Sequence, residues 1–190
     1  LALTLDTVKD ELATSKQTTR DRLTRVRSRA LALMRDLRRL AVDLRPPALN
    51  DLGLASALRS YAESRLSDNG VQIHFDASDL ETRPSPLLET SLYRVAQEAI
   101  DNIATHAQAK TVGIALKSDG RLLTLVVEDD GKGFEPAEVL ADPDAVRGLG
   151  ILSMQERIAL VSGTFSVKSA PGQGTRVRAE IPLEKDGGQT

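Results

Sequence analysis

The stretch Val127-Glu128-Asp129-Asp130-Gly131-Lys132-Gly133-Phe134 begins as an apolar strand, ends that strand on an acid and then alternates glycine with other residues. A strand end holds a carboxylate in a fixed direction. Glycine lacks Cβ, reaches φ > 0 and lets backbone approach a bound group closely. Asp129 is therefore suited to accept hydrogen bonds from a ligand amine, with Gly131 and Gly133 leaving room beside it. Asp-Gly is also ordinary turn chemistry, and this stretch alone leaves a plain surface turn open.

Upstream, Leu88, Leu92, Val95, Ala96, Ala99, Ile100 and Ile103 recur at the intervals of an amphipathic helix. Glu98 and Asn102 stand at i and i+4, so both point together from the edge of that apolar stripe. Each offers a hard oxygen of the kind Mg²⁺ accepts when phosphates supply its other ligands. Downstream, Gly148-Leu149-Gly150 opens another helical stretch and Gly172-Gln173-Gly174-Thr175 opens a strand. Glycines at a helix start expose backbone N–H groups at a terminus that favours anions.

In this order the four motifs resemble the nucleotide-binding boxes of the ATPase superfamily shared by histidine kinases, DNA gyrase B, the Hsp90 chaperones and the MutL repair proteins. Glu98 and Asn102 match the first box, Asp129-x-Gly131-x-Gly133 the second, Gly148-Leu149-Gly150 the third and Gly172-x-Gly174-Thr175 the last. Two further stretches resemble sensor histidine kinases of the nitrate-sensor and lipid-fluidity-sensor subfamily. Leu44-Arg45-Pro46-Pro47-Ala48-Leu49-Asn50-Asp51-Leu52-Gly53-Leu54-Ala55-Ser56-Ala57-Leu58 is similar to the segment that joins their dimerization helix to the ATPase domain. Gly148-Leu149-Gly150-Ile151-x-x-Met154-x-Glu156-Arg157 is similar to their third box.

Composition is compatible with this resemblance. The chain has 190 residues, 41% of them hydrophobic and 27% charged, enough for one core plus an appendage. The absence of cysteine excludes disulfides and thiolate metal sites and fits a reducing cytoplasm. No run approaches the roughly 20 apolar residues that cross a bilayer, and no signal-peptide pattern opens the chain, so no membrane contact is expected of it. The net charge of −2 hides an asymmetry: residues 1–50 hold 11 Lys and Arg against 6 Asp and Glu, and the remainder holds 14 against 21. Arg20, Arg22, Arg25, Arg27, Arg29, Arg35, Arg38 and Arg39 interleave with the seam Leu23, Val26, Ala30, Leu33, Leu37, Leu40, Leu44. A solvated helix face, or a docking surface for an acidic protein, accounts for them better than direct nucleic-acid binding. The seam has heptad spacing, the mark of a helix that buries a narrow stripe against other helices. A homodimer through a helical bundle is the expectation, with an intramolecular pairing against Leu1 to Leu12 as the alternative. Pro46 and Pro47 end the seam.

The remaining pattern is mixed. A helix is expected over Leu54–Leu66, a turn at Asp68-Asn69-Gly70 and a strand over Val71–Asp76. Ser85 is the expected cap of the long helix that carries Glu98 and Asn102. Strands fit Thr111–Lys117 and Leu122–Glu128 around a turn at Ser118-Asp119-Gly120, and a helix fits Leu149–Val161. Strands Thr164–Ser169 and Thr175–Pro182 follow, with a frayed tail from Glu184. Residues 134–147, polar and proline-containing, lie where a lid over the nucleotide would sit. The sum is an α+β fold, a mixed sheet covered by helices on one face. The resemblance implies the Bergerat-type ATP-binding sandwich. It also implies a division into 1–47 (partial dimerization and histidine-phosphotransfer helices), 48–60 (connecting segment), 61–184 (catalytic ATP-binding domain) and 185–190 (disordered tail).

What the resemblance implies for chemistry can be assigned residue by residue. Asp129 would bond the adenine amino group with Thr175 helping through water, while Gly131, Gly133, Gly172 and Gly174 shape the pocket. Asn102 would ligate Mg²⁺, and Gly148, Leu149 and Gly150 would set backbone donors against the phosphates of ATP. Glu98 matches the acid that helps a histidine imidazole accept the γ-phosphoryl group, and His106 falls where the family often has histidine beside the nucleotide. Two departures stand out. The only histidines are His74 and His106, neither placed as a phosphoacceptor; Leu1–Leu12 resembles the tail of the first bundle helix, so a piece that begins after the acceptor, binding ATP without phosphorylating itself, is expected. Thr105 stands where the family commonly has Lys or Arg, with Lys110 and Lys132 as substitutes. The implied whole is a cytoplasmic sensor histidine kinase that phosphorylates itself and then an aspartate of a response regulator with a helix-turn-helix output domain. The alternatives are a serine kinase of the anti-sigma type and a scaffold module with a degenerate nucleotide site.

Overall fold

In a computed structural model of the chain, residues 46–67, 70–77, 83–141 and 146–183 are described. The heptad seam, Asp68, Asn69 and the tail from Glu184 lie outside them. Five strands among the described residues form one sheet: β1 (Gln72–Asp76), β2 (Thr111–Ser118), β3 (Leu122–Asp129), β4 (Thr164–Ser169) and β5 (Thr175–Pro182), in the order β1-β2-β3-β5-β4. β1 runs parallel to β2 and the other neighbours are antiparallel, so the sheet is mixed. A parallel pair needs a crossover connection, which is supplied by the long helix α2 (Pro86–Asn102). The other helices are α1 (Pro47–Leu66), α3 (Pro136–Ala141) and α4 (Val146–Ala159).

Alternation decides which face is covered. Val112, Ile114 and Leu116 of β2, Leu123, Leu125 and Val127 of β3, and Val177, Ala179 and Ile181 of β5 are all buried. The register sets them side by side, with Ile114 opposite Val127, Val127 opposite Val177 and Leu123 opposite Ile181. The intervening positions carry Lys117, Glu128, Arg176 and Arg178, half-exposed and partly joined in ion pairs such as Arg178 Nη2 to Glu180 Oε1 at 2.7 Å. Such surface pairs add little stability; their effect is to leave that face wet. The apolar face meets Leu92, Val95, Ala96, Ala99 and Ile100 of α2 and Ile151, Met154 and Ile158 of α4 in one core, the helix-on-sheet arrangement expected of an α+β chain.

Helix boundaries differ from the sequence expectation in instructive places. α1 begins at Pro47, whose fixed φ suits the first helical turn, and breaks at Gly53 (φ 72°, ψ 174°) before continuing from Leu54. Ser85 occupies the cap position of α2 but its side chain makes no capping bond; its carbonyl accepts the Glu89 N–H at 3.0 Å instead. α2 does not stop at Asn102 but widens into a π turn over Ile103–Ala107, closed by Gln108 in the left-handed region (φ 55°). The turn after β2 forms as expected, with Asp119 Oδ1 accepting the N–H groups of Arg121 and Leu122 at 2.8 and 2.7 Å.

Two polar clasps hold α1 and its approach on α2. Tyr61 donates its hydroxyl to Asp101 Oδ2 at 3.0 Å and Arg65 Nε bonds Asp101 Oδ1 at 2.6 Å; burial, then the Asp101 bond, push the Tyr61 phenol up to about 12. Asp101 precedes Asn102, so this clasp fixes the end of α2 that carries it. The second clasp is Arg83, which forks onto Glu89 (Nε–Oε1 2.9 Å, Nη2–Oε2 3.2 Å) and also bonds the Leu49 carbonyl. Glu89 is only 1% exposed, and a buried carboxylate that loses one partner is costly. Arg83→Met should therefore lower the midpoint of urea unfolding by more than an ordinary surface substitution does, and by less than the loss of a wholly buried pair, because the arginine is half-exposed. A change no larger than that of ordinary surface substitutions would mean that Glu89 is carried by its other contacts.

Candidate functional site

The buried row of β3 runs Leu123, Leu125, Val127 and then Asp129, so strict alternation turns a carboxylate onto the helix-covered face. Asp129 is 6% exposed. Its Oδ1 accepts the Gly131 N–H at 2.8 Å. Burial pushes the carboxyl above its ordinary pKa, the N–H groups of Gly131 and Thr175 pull it back, and neighbouring Asp130 and Glu128 add to the rise. Asp130, by contrast, faces out and is held low by the N–H groups of Thr111 and Lys110, which it accepts at 2.9 and 2.7 Å. Of the two adjacent acids, one faces the interior and the other anchors the start of β2.

The glycines around Asp129 are there for space. A Cβ at Gly131 would stand 2.7 Å from both Ala107 Cβ and Asp129 Oδ1 and would overlap the Ala107 carbonyl, which accepts the Lys132 N–H at 2.8 Å. Gly174 (φ 70°) presses on the Asp129 carbonyl, and Gly133 (φ 59°) presses on Ala170. Ser169 ties this crossing together: its hydroxyl accepts the Phe134 N–H at 3.0 Å, donates to the Gly174 carbonyl at 2.8 Å and lies 3.1 Å from Thr175 Oγ1. Gly172 (φ 78°) faces open space and donates its N–H to the Lys132 carbonyl at 2.7 Å.

Asp129, Asn102, His106, Gly133 and Thr175 line one cavity of about 60 Å³, several times the space that a single buried water needs. Its walls are otherwise apolar: Val127, Val167 and Val177 from the sheet, Ile151 and Met154 from α4, and Phe134 from the loop after β3. A largely apolar cavity with one carboxylate in its lining suits a heteroaromatic ring bearing an exocyclic amine. Lys132 also lines it, its own N–H donating to the Ala107 carbonyl; Thr105 and Lys110 are exposed and do not.

Glu98 and the third-box glycines lie outside the cavity lining. α4 begins at Val146, two residues before Gly148, so Gly148 and Gly150 sit within its opening turns and do not form its start. At Gly148 an added Cβ would come 2.8 Å from the Val139 carbonyl of α3, and at Gly150 it would run into the Glu98 carboxylate. Leu149 is half-buried between them. The glycines thus let α3 and Glu98 approach α4 closely. His74 is exposed on β1, opposite Gly113. The apolar walls and Ser169 went unnoticed in the sequence; the period-2 rows of β3 and β5 marked the wall side chains as core, and nothing in one sequence says which core positions are left uncovered at one end.

Comparison with known proteins agrees with this geometry. Residues 88–185 match the family model described as histidine kinase-, DNA gyrase B-, and HSP90-like ATPase. The chain is 36% identical over 151 residues, 80% of its length, to the oxygen sensor histidine kinase NreB of Staphylococcus carnosus (strain TM300), and spans 42% of that protein. Among solved structures it is similar to the histidine kinase domain of the Erythrobacter litoralis EL346 blue-light activated histidine kinase (19% identity, 68% of this chain and 61% of that one, TM-score 0.54). It is also similar to full-length ShkA in complex with AMPPNP (25% identity, 66% of this chain and 29% of that one, TM-score 0.52). With Asp129 turned inward at the end of β3 and the first-box helix across the slot from it, the chain belongs to the histidine kinase-, DNA gyrase B- and HSP90-like ATPase family and carries an ATPase domain of the sensor histidine kinase type.

Proposed function

We propose that this chain is the ATP-binding and catalytic portion of a cytoplasmic two-component sensor histidine kinase, with part of its dimerization bundle in residues 1–47 and the segment 48–60 as the connection to the catalytic domain. The observation that carries the reading is that Asp129 and Asn102, from different elements, line the same apolar slot. Asp129 accepts hydrogen bonds from the adenine amino group, and the apolar walls take the two faces of the ring. Thr175 lies beside Asp129, opposite it in the β3–β5 register, where its hydroxyl can hold a bridging water. Gly133 lines the slot itself, Gly131 and Gly174 let the backbone close around Asp129, and Gly172 turns the loop beside them.

Phosphoryl transfer asks mostly for alignment and charge neutralisation. Among the described residues there is no group of three or more His, Asp or Glu side chains that would cage a metal, and Asn102 offers a single amide oxygen. That donor set fits Mg²⁺ arriving with the nucleotide, since Mg²⁺ is usually bound through one or two protein oxygens plus phosphates. Mg²⁺, held on the protein side by Asn102, would supply neutralisation of the phosphate charge. His106 and Lys132, both in the cavity lining, are assigned to the phosphates, and the first turn of α4, which ends at about Gly148, would add backbone N–H donors there. Glu98, one turn before Asn102, polarises the acceptor imidazole by taking its proton, so that the ring nitrogen can attack the γ-phosphorus. The phosphoryl group then passes to an aspartate of a response regulator with a helix-turn-helix output domain, and the kinase works as a homodimer.

A titration with a labelled ATP analogue and Mg²⁺ separates this reading from a scaffold with a degenerate site, for which no saturable binding is expected. For Glu98, Glu98→Gln in the full-length protein with its acceptor histidine should keep ATP affinity and slow phosphoryl transfer by about 100-fold, the lower range for a lost general base. Unchanged transfer would remove Glu98 from the chemistry.

A further inference from the structure

Gly150, Met154 and Arg157 follow at helical spacing on α4 and share one face. At Gly150 the Glu98 carboxylate lies against the bare Cα. Met154 lines the cavity. At Arg157 the side chain is half-buried, with Nη1 sealed from solvent and bonded to nothing. Helical side chains lean toward the N-terminus of their helix, so Arg157 reaches back along this face toward the turns on which Glu98 rests. The charged groups that act on the guanidinium come from α2: burial works against its cation first, Arg94 adds to that, and Glu98 opposes both. Arg94 sends its own Nη1 to Gln97 Oε1 at 3.0 Å. Glu98 is therefore the acid to which this buried cation is coupled. A buried charged donor without an acceptor is costly, and buried polar groups almost always find a partner.

We propose that Arg157 is a positioning residue for Glu98: its Nη1 donates a charge-assisted hydrogen bond to the carboxylate when Glu98 turns off Gly150, and so holds it in line with the acceptor imidazole. The missing Cβ at Gly150 gives the carboxylate its resting place, and Arg157, two turns along the same face, gives it the working one. This rests on the reading of Glu98 as the acid of phosphoryl transfer. A charge-assisted bond is short and directional, which is what a group taking a proton needs.

In the full-length protein with its acceptor histidine, Arg157→Met should lower phosphoryl transfer at saturating ATP about tenfold, with the KM for ATP and the ATP-induced rise in melting temperature unchanged. Arg157→Lys, which keeps the charge, should recover most of the rate. The decisive comparison is the double variant: on a Glu98→Gln background, Arg157→Met should slow transfer no further. Multiplicative losses in the double variant, a parental rate for Arg157→Met, or loss of the ATP-induced rise in melting temperature in both Arg157 variants each overturn the proposal. If Glu98→Gln alone leaves the rate intact, the role of Glu98 fails first and the proposal with it, a result distinct from a slowed Glu98→Gln with an indifferent Arg157.

Discussion

Asp129→Asn is expected to weaken ATP binding by about two orders of magnitude while making the nucleotide-free protein harder to unfold. The carboxylate already uses Oδ1 on the Gly131 N–H at 2.8 Å and is drawn on by the Thr175 N–H as well, while it still lines the slot. An asparagine has one oxygen and one NH₂ group, so it can accept from Gly131 or from the adenine amine but not with both ends. With the oxygen kept by Gly131, two donors meet in a buried place. Loss of a charge-assisted hydrogen bond and the mismatch that replaces it together amount to about 3 kcal/mol, or roughly 100-fold in affinity. Isothermal titration with an ATP analogue and Mg²⁺ reads this directly, and wild-type affinity in the variant would remove Asp129 from the site.

The stability half follows from the direction of the Asp129 shift. Its carboxyl is pushed up, by burial first, so the folded state holds the proton more tightly than the unfolded chain. Stability then falls as pH rises from the unfolded value to the folded one and stays low above it. At neutral pH the ionised Asp129 opposes folding, and neutral asparagine relieves it, so the variant should melt a few degrees higher without nucleotide. Below the ordinary carboxylate pKa the two proteins should converge. A variant that melts lower across the whole range would show that the carboxylate supports the fold.

Gly174→Ala should unfold the site outright. Gly174 has φ 70°, and its missing Cβ would overlap the Asp129 carbonyl oxygen and stand 3.1 Å from the Asp130 Cα. The left-handed backbone costs an alanine about 1–2 kcal/mol. Overlap with a strand carbonyl that cannot swing aside adds about 1–3 kcal/mol, so a loss of roughly 3 kcal/mol or more is expected in urea unfolding, with nucleotide binding lost as β3 and β5 shift apart. Gly172→Ala is the control: its φ of 78° is similar but its Cβ would meet open space, so it should lose only the backbone share. Equal losses at both positions would mean that the crossing of Gly174 over Asp129 contributes nothing.

Several parts of this molecule were open to reading from residue order because they depend on local rules. The period-2 rows of β2, β3 and β5 and the helical stripe of α2 declared the sheet, its covered face and the helix upon it. The Asp-Gly and Gly-x-Gly turns declared where backbone comes close. Other parts answered to distant neighbours. The π turn after Asn102 forms where Ala107 must meet Lys132, a contact between residues far apart in sequence. α4 starts at Val146 and not at its glycines, because those glycines serve α3 and Glu98. Ser85 leaves its cap bond unmade while Arg83 and Glu89 secure the same end of α2.

From its residues alone, then, this chain dictates an inward carboxylate at the end of β3, since alternation along a strand admits no other direction once Leu123, Leu125 and Val127 are buried. Tertiary packing decides that Asn102 and Thr175 share a slot with it, that the slot is walled by Ile151, Met154 and Phe134, and that Glu98 rests on Gly150 of the same helix that carries the half-buried Arg157. Spacing within one element is set by bond geometry, whereas distances between elements are set by which side chains can pack against which, and that balance exists only in the folded protein.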